Sequence, residues 1–158
     1  MAVVRGIPEG FNTLTPYLIC RDAPKAMDFY MRAFGAVETS RFSGPDGKIM
    51  NAQMRIGNST VMLMEENLEW EARSPKSLDG SPTSVQIYVE DADKFFNQAV
   101  AAGATVNMPM DDAFWGDRYG SIVDPFGHKW SIATRVRDLT GDDMKRASED
   151  FFAKMQNA

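Results

Sequence analysis

The stretch IVDPFGHKWSIAT (Ile122–Thr134) holds the only histidine of the chain, His128, close to an aspartate, a lysine and a tryptophan. An imidazole is the side chain best suited to bind a metal or to move a proton near neutral pH. A catalytic zinc takes three protein ligands, so one histidine and one cysteine leave carboxylates to complete any set. Glu65, Glu66, Asp111, Asp112 and Asp124 are the available carboxylates. Most fall in turns or at the ends of apolar runs, where a solvated charge is ordinary. DPFG places Asp, Pro and Gly at the first, second and fourth positions favoured by a type I turn. His128 then starts a strand beside that turn, near a rim, with a structural role expected. Cys20 lies in YLICRD, apolar on one side, with no evident histidine or helix N-terminus to activate it. It reads as a small buried hydrophobe. No catalytic residue is assigned.

Two segments must position whatever chemistry exists. TPYLICRDAPKAMDFYMRAFGA (Thr15–Ala36) reads as a strand, a break at Asp22, an amphipathic helix and a glycine stop. Met27, Tyr30, Met31 and Phe34 fall at i, i+3, i+4 and i+7, one helical face. Asp22 is an N-cap residue and Gly35 a C′ residue. TSVQIYVEDADKFFNQAVAAGA (Thr83–Ala104) repeats the plan, with Asp91 69 residues after Asp22 and Gly103 68 after Gly35. Such a repeat of a supersecondary unit governs the fold. Strands follow each helix. KIMNAQMRI alternates, with Met50, Ala52, Met54 and Ile56 on one face and Asn51, Gln53 and Arg55 on the other. Each half is β-α-β-β-β, and one such unit covers only one face of its sheet with its helix, so it needs a partner.

The expected organisation is one domain over 1–158. It comprises module one (12–66), a polar linker (67–82), module two (83–136) and a C-terminal helix (140–156). Thr140 and Asp143 resemble a capping box. Met144, Ala147, Phe151 and Met155 form that helix's apolar stripe, which must dock on something. The net charge of −5 argues against a nucleic-acid or anionic-membrane partner. No apolar run reaches transmembrane length, and MAVVRGIPEG lacks a signal-peptide core. The lone cysteine suits a reducing cytoplasm. The 11 methionines read as adaptable core filling.

With these elements in place, the chain resembles the vicinal oxygen chelate superfamily, which includes glyoxalase I, bleomycin-resistance proteins and extradiol dioxygenases. PYLICRDAPKAMDFYMRAFGA, MNAQMRIGNSTVMLM, IYVEDAD and WGDRYGSIVDPFGHKWSIAT are most similar to its PhnB-like branch, over roughly residues 12–146. The resemblance implies an α+β fold: two βαβββ modules pairing into a curved mixed sheet around a cup, plus the C-terminal helix. The cup holds a divalent metal with its substrate, or an organic ligand alone. Carried onto this chain, the metal positions fall at Thr15, Val61, Ser84 and Ser131, and neighbouring registers offer no better donors. Where PhnB-like chains often read HAELRIG, this chain reads NAQMRIG, with Asn51 and Gln53, which do not titrate.

No metal and no cofactor are therefore expected. By alternation Thr15, Tyr17, Asn51, Gln53, Arg55, Ser84, Gln86, Tyr88, Ser131 and Ala133 face the cup, and DDAFWGDRYG adds Phe114, Trp115 and Tyr119 at its mouth. The ligand-binding set is Tyr17, Asn51, Gln53, Gln86, Tyr88, Trp115 and Tyr119, suited to an uncharged, planar, weakly polar molecule. Asp117 and Arg118 read as a local ion pair. The expected function is metal-independent binding of a small organic ligand by a cytoplasmic homodimer. The alternative is an enzyme, glyoxalase-like or dioxygenase-like, whose active-site residues are not recognised.

Overall fold

The structure is a computed structural model that describes residues 3–158. The first module comprises β1 (Tyr17–Cys20), α1 (Ala23–Phe34), β2 (Val37–Ser43), β3 (Ile49–Ile56) and β4 (Ser59–Glu65). A 3-10 turn (Leu68–Trp70) and the short helix α2 (Pro75–Leu78) interrupt the linker. The second module repeats the order as β5 (Ser84–Tyr88), α3 (Ala92–Ala102), β6 (Thr105–Asp112), β7 (Asp117–Val123) and β8 (Lys129–Arg135). The helix α4 (Gly141–Gln156) ends the chain. The strands form two four-stranded mixed sheets, ordered β1-β4-β3-β2 and β5-β8-β7-β6. The two βαβββ modules of the α+β fold are thus both present.

The helices begin and end where the sequence signals them. The Asp22 carboxylate accepts from Lys25 N–H and that of Asp91 from Lys94 N–H, satisfying first-turn donors. Gly35 stops α1 at a positive φ of 64°. Thr140 and Asp143 form a reciprocal capping box at α4. On α1, Met27, Tyr30 and Phe34 are buried with Ala26, Phe29 and Ala33, but Met31 is exposed. The buried stripe leans to the Phe29 side, and Met31 falls on its border. A second departure concerns β3: Ile49, not Met50, enters the core. The pairing with β2 shifts register between Phe42 and Ser43, and the irregularity breaks the alternation at that end.

The modules meet through their helices. Phe34 of α1 stacks on Phe95 of α3 with ring centres 5.5 Å apart, and Gln98 donates to the Arg32 carbonyl at 2.9 Å. Tyr30 and Phe34 also reach Trp130 on the helix-facing side of the second sheet. One core results. At its centre lies Asp124, 3% exposed, in the turn DPFG. Its Oδ2 accepts from Tyr30 Oη at 2.5 Å and Trp130 Nε1 at 2.9 Å; its Oδ1 accepts from the backbone N–H groups of Phe126 and His128. Burial, with Asp124 beside it, pushes the Tyr30 phenol well above its ordinary pKa. Asp124 is thus no solvated turn carboxylate. Glu65 is not one either, since both its oxygens cap α1 at Asp22 N and Ala23 N.

Glu66 secures the linker. Its Oε2 accepts from Ser74 N–H at 2.6 Å, and Arg21 stands 3.6 Å from Oε1. Burial alone would raise its pKa, but hydrogen bonds from Ser77 and Ser74 and the Arg21 charge outweigh that and lower it from 4.5 to about 2. A depressed carboxylate adds stability that is present above the unfolded pKa and lost as pH falls through the folded one. Acid titration of the melting temperature should therefore show a loss between about pH 4.5 and 2. Glu66→Gln should flatten that segment, and an unchanged acid limb would exclude the linkage. No helix among the described residues is long and apolar enough to cross a membrane.

Candidate functional site

Each sheet turns one face to the helices and leaves the other open. On the first sheet, Tyr17, Asn51 and Gln53 lie on the open face with Met62, the pairing partner of both Tyr17 and Gln53. Their mutual bonds are weak: Asn51 Nδ2 stands 3.4 Å from Tyr17 Oη, which stands 3.5 Å from the Met50 carbonyl. On the second sheet, Gln86 pairs with Ser131 and Tyr88 with Ala133, and Tyr119 lies beside them. The structure thus gathers the predicted residues into two groups. No hydrogen bond or ring contact joins Tyr17, Asn51 and Gln53 to Gln86, Tyr88, Trp115 and Tyr119 within the chain.

The second group is the better built. Asp117 is fully buried on the open face. Its Oδ2 accepts from Tyr88 Oη at 2.7 Å and from Trp115 Nε1 at 3.1 Å, and Arg135 Nε reaches its Oδ1 at 2.9 Å. The carboxylate beside Arg135 raises the pKa of that guanidinium further. Tyr119 packs edge-on against Trp115 at 5.3 Å, and its hydroxyl meets Ser131 Oγ at 2.9 Å. Gly116 makes this loop possible. Its φ is 98°, and an added Cβ would come within 2.4 Å of the Arg137 carbonyl oxygen.

Asp117 and Arg118 do not pair with each other. Arg118 makes a two-pronged bond with Asp93, 3.0 Å on each prong, and lies 3.5 Å from Asp112. Consecutive strand residues point to opposite faces, which sends Asp117 and Arg118 apart. The role of Asp117 was legible in principle: counting back by two from Tyr119 puts a carboxylate on the open face. The part played by α4 was not. Phe151 lies 5.1 Å from Phe114, so the helix roofs a cavity of about 470 Å³ walled by Met108, Phe114, Trp115, Tyr119 and Phe151. Arg137, Lys154 and Asp150 stand around it.

His128 is not at a rim. Its Nε2 lies 2.8 Å from the Ile19 carbonyl and 3.8 Å from Cys20 Sγ, at the junction of the two modules. A carbonyl only accepts, so Nε2 carries the proton and donates. Cys20 is fully buried, and burial, with Asp124 nearby, pushes its thiol far up from the ordinary range.

Strand pairing moves three of the four expected metal positions: Thr15 to Tyr17, Ser84 to Gln86 and Val61 to Met62. Val61 is buried on the helix side, and Met62 is the strand equivalent of Ser131. The turn from Arg55 to its partner Thr60 is one residue shorter than that from Val123 to Lys129, so counting from the turn glycine slips by one. The open-face positions then offer Tyr17, Met62, Gln86 and Ser131: a phenol, a thioether, an amide and a hydroxyl. None is the imidazole or carboxylate donor that a catalytic divalent metal takes, so these residues do not fit one.

A model of the Glyoxalase/Bleomycin resistance protein/Dioxygenase superfamily matches residues 10–132. The chain is 44% identical over 137 residues to the uncharacterized protein Rv0887c of Mycobacterium tuberculosis, covering 85% of this chain and 81% of that one. Among solved structures, TioX from Micromonospora sp. ML1 is similar at 27% identity and a TM-score of 0.61, covering 79% of this chain and 99% of TioX. A PhnB protein from Bacillus cereus shares the fold at 18% identity and a TM-score of 0.58, covering 80% of this chain and all of that one.

Proposed function

Because the chain belongs to the glyoxalase/bleomycin resistance protein/dioxygenase superfamily, we propose that it is a metal-independent binder of small organic molecules. Its ligand is uncharged and planar and lies against Trp115 and Tyr119. The observation that carries this reading is the preorganised wall around Asp117. One buried carboxylate fixes the Tyr88 hydroxyl and the Trp115 indole in place before any ligand arrives. Side chains already locked cost little entropy on binding. Aromatic faces favour offset stacking with a planar guest, and the exposed Gln86 amide, two residues before Tyr88 on β5, supplies a polar handle.

The first sheet completes the site in a homodimer. Its open face carries Tyr17, Val37 and Phe42, which are 47%, 61% and 61% exposed, beside the amides of Asn51 and Gln53. A second copy that lays this face over the Trp115 wall reunites all seven predicted residues in one cup. The reading includes a cytoplasmic location, supported by an unpaired cysteine kept as a buried thiol.

Neutral aromatic fragments screened by thermal shift test the proposal. Trp115→Ala and Tyr119→Ala should each weaken the best binder at least about tenfold, near 1.4 kcal/mol. Treatment with a chelator should leave the affinity unchanged, and elemental analysis should find well under one divalent metal per chain. Affinity indifferent to both substitutions would reject the site, and affinity lost on chelation would reject metal independence.

A further inference from the structure

We infer a second small-molecule site, on the helix side of the sheets between the two modules, for a neutral aromatic compound carrying an N–H or O–H donor. A cavity of about 710 Å³ opens there. Phe34, Phe95 and Trp130 form its aromatic floor, and Ile56, Val61 and Ile87 are among its aliphatic walls. Phe34 and Phe95 are stacked, and Trp130 tilts onto Phe34 at 4.8 Å. Among the described residues its lining includes no acidic or basic side chain. The rim amides belong to Asn12 and Asn58. The bond from Thr60 Oγ1 to the Gly10 carbonyl holds the segment leading to β1 over one end.

The internal repeat explains why this space is open. At the opposite junction, β1 turns the Ile19 carbonyl outward, where His128 donates to it, and Tyr30 and Trp130 fill the interior. Strand pairing relates the modules by 69 residues, matching Tyr17–Met62 to Gln86–Ser131. Tyr88 therefore occupies the place of Ile19, Ala99 that of Tyr30, and Val61 that of Trp130. The shorter turn before β4 puts Ser59 where His128 would stand. Bulky side chains at one junction thus correspond to small ones at the other, and a cavity remains.

The edge of β5 supplies the polar contact. Val89 N–H bonds to the Ala133 carbonyl of β8, so alternation turns the amide and carbonyl of Tyr88 to the unpaired edge. Among the described residues no side chain donates to that carbonyl, whereas its repeat equivalent at Ile19 receives an imidazole N–H. A guest that packs against the partly buried Phe95 and donates one hydrogen bond to Tyr88 takes the place that His128 and Trp130 fill at the other end. A mostly apolar cleft of this volume with a few polar groups at its rim is typical of small-molecule sites.

The neutral fluorophore N-phenyl-1-naphthylamine, which combines fused aromatic rings with one N–H, is the probe. Its emission should rise on titration with the wild-type protein. Ser59→Trp, at the mouth, and Val61→Phe, in the wall, should each weaken its binding at least tenfold. Should Val61→Phe fail to fold by circular dichroism, Ser59→Trp decides alone. Trp115→Ala should keep the probe's affinity within twofold, which separates this site from the one on the open face. No emission rise in the wild type, or full binding retained in Ser59→Trp, overturns the inference. Loss confined to Trp115→Ala also overturns it, and assigns the probe to the other cavity.

Discussion

Asp124→Ala should cost about 3–5 kcal/mol, the largest loss expected from any single side chain outside the apolar core. The carboxylate is 3% exposed and accepts four hydrogen bonds. Among the described residues no cation pairs with it; its charge is stabilised by a phenol, an indole and two backbone amides. Charge-assisted bonds of this kind are roughly twice as strong as neutral ones. Removing the acceptor strands a buried tyrosine hydroxyl and a buried indole N–H, each left with its desolvation penalty. It also unties α1 of the first module from the turn that enters β8 of the second. Asp124→Asn keeps the shape but turns N–H groups toward other donors, at about 2 kcal/mol. Tyr30→Phe removes one donor and should cost about 1–2 kcal/mol. Urea denaturation measures all three, and a loss below 1 kcal/mol for Asp124→Ala would contradict this account.

The sequence carried each module well and the relation between modules poorly, for a physical reason. Strand alternation and helix periodicity are local, so Asn51, Gln53, Gln86 and Tyr88 could be assigned to open faces from spacing alone, whereas Tyr119, expected in the mouth loop, lies within β7. Capping is local too, and Asp22, Asp91 and Thr140 were readable from their neighbours. The Asp124–Tyr30 bond joins residues 94 apart, and no periodicity reports on it. The type I turn was visible in DPFG, but not the second carboxylate oxygen's task of meeting a helix from the other half. Val61 slipped because register is transmitted through turn length, and a one-residue difference reverses the face. His128 followed the same pattern, correctly placed at a strand start while its partner Ile19 lay in the distant module.

Asp117→Ala should release the aromatic wall of the proposed binding site. Three donors converge on this fully buried carboxylate: Tyr88 Oη, Trp115 Nε1 and Arg135 Nε. Two of the donor residues, Tyr88 and Arg135, are more than half exposed, so water can satisfy part of what is lost. The stability cost should accordingly be smaller than at Asp124, about 2–3 kcal/mol. The effect on binding should be larger than stability suggests. Without its acceptor the indole of Trp115 can rotate, and a ligand must then pay the entropy of ordering it. Affinity for a Trp115-dependent fragment should fall at least about tenfold, near 1.4 kcal/mol. Trp115 anisotropy should drop in parallel, read in a Trp70→Phe background so that buried Trp130 is the one other emitter. Arg135→Lys keeps a cation near Oδ1 and leaves the Tyr88 and Trp115 bonds intact, so its affinity should stay within about threefold. If Asp117→Ala left both anisotropy and affinity at wild-type values, the carboxylate would not be what holds the wall.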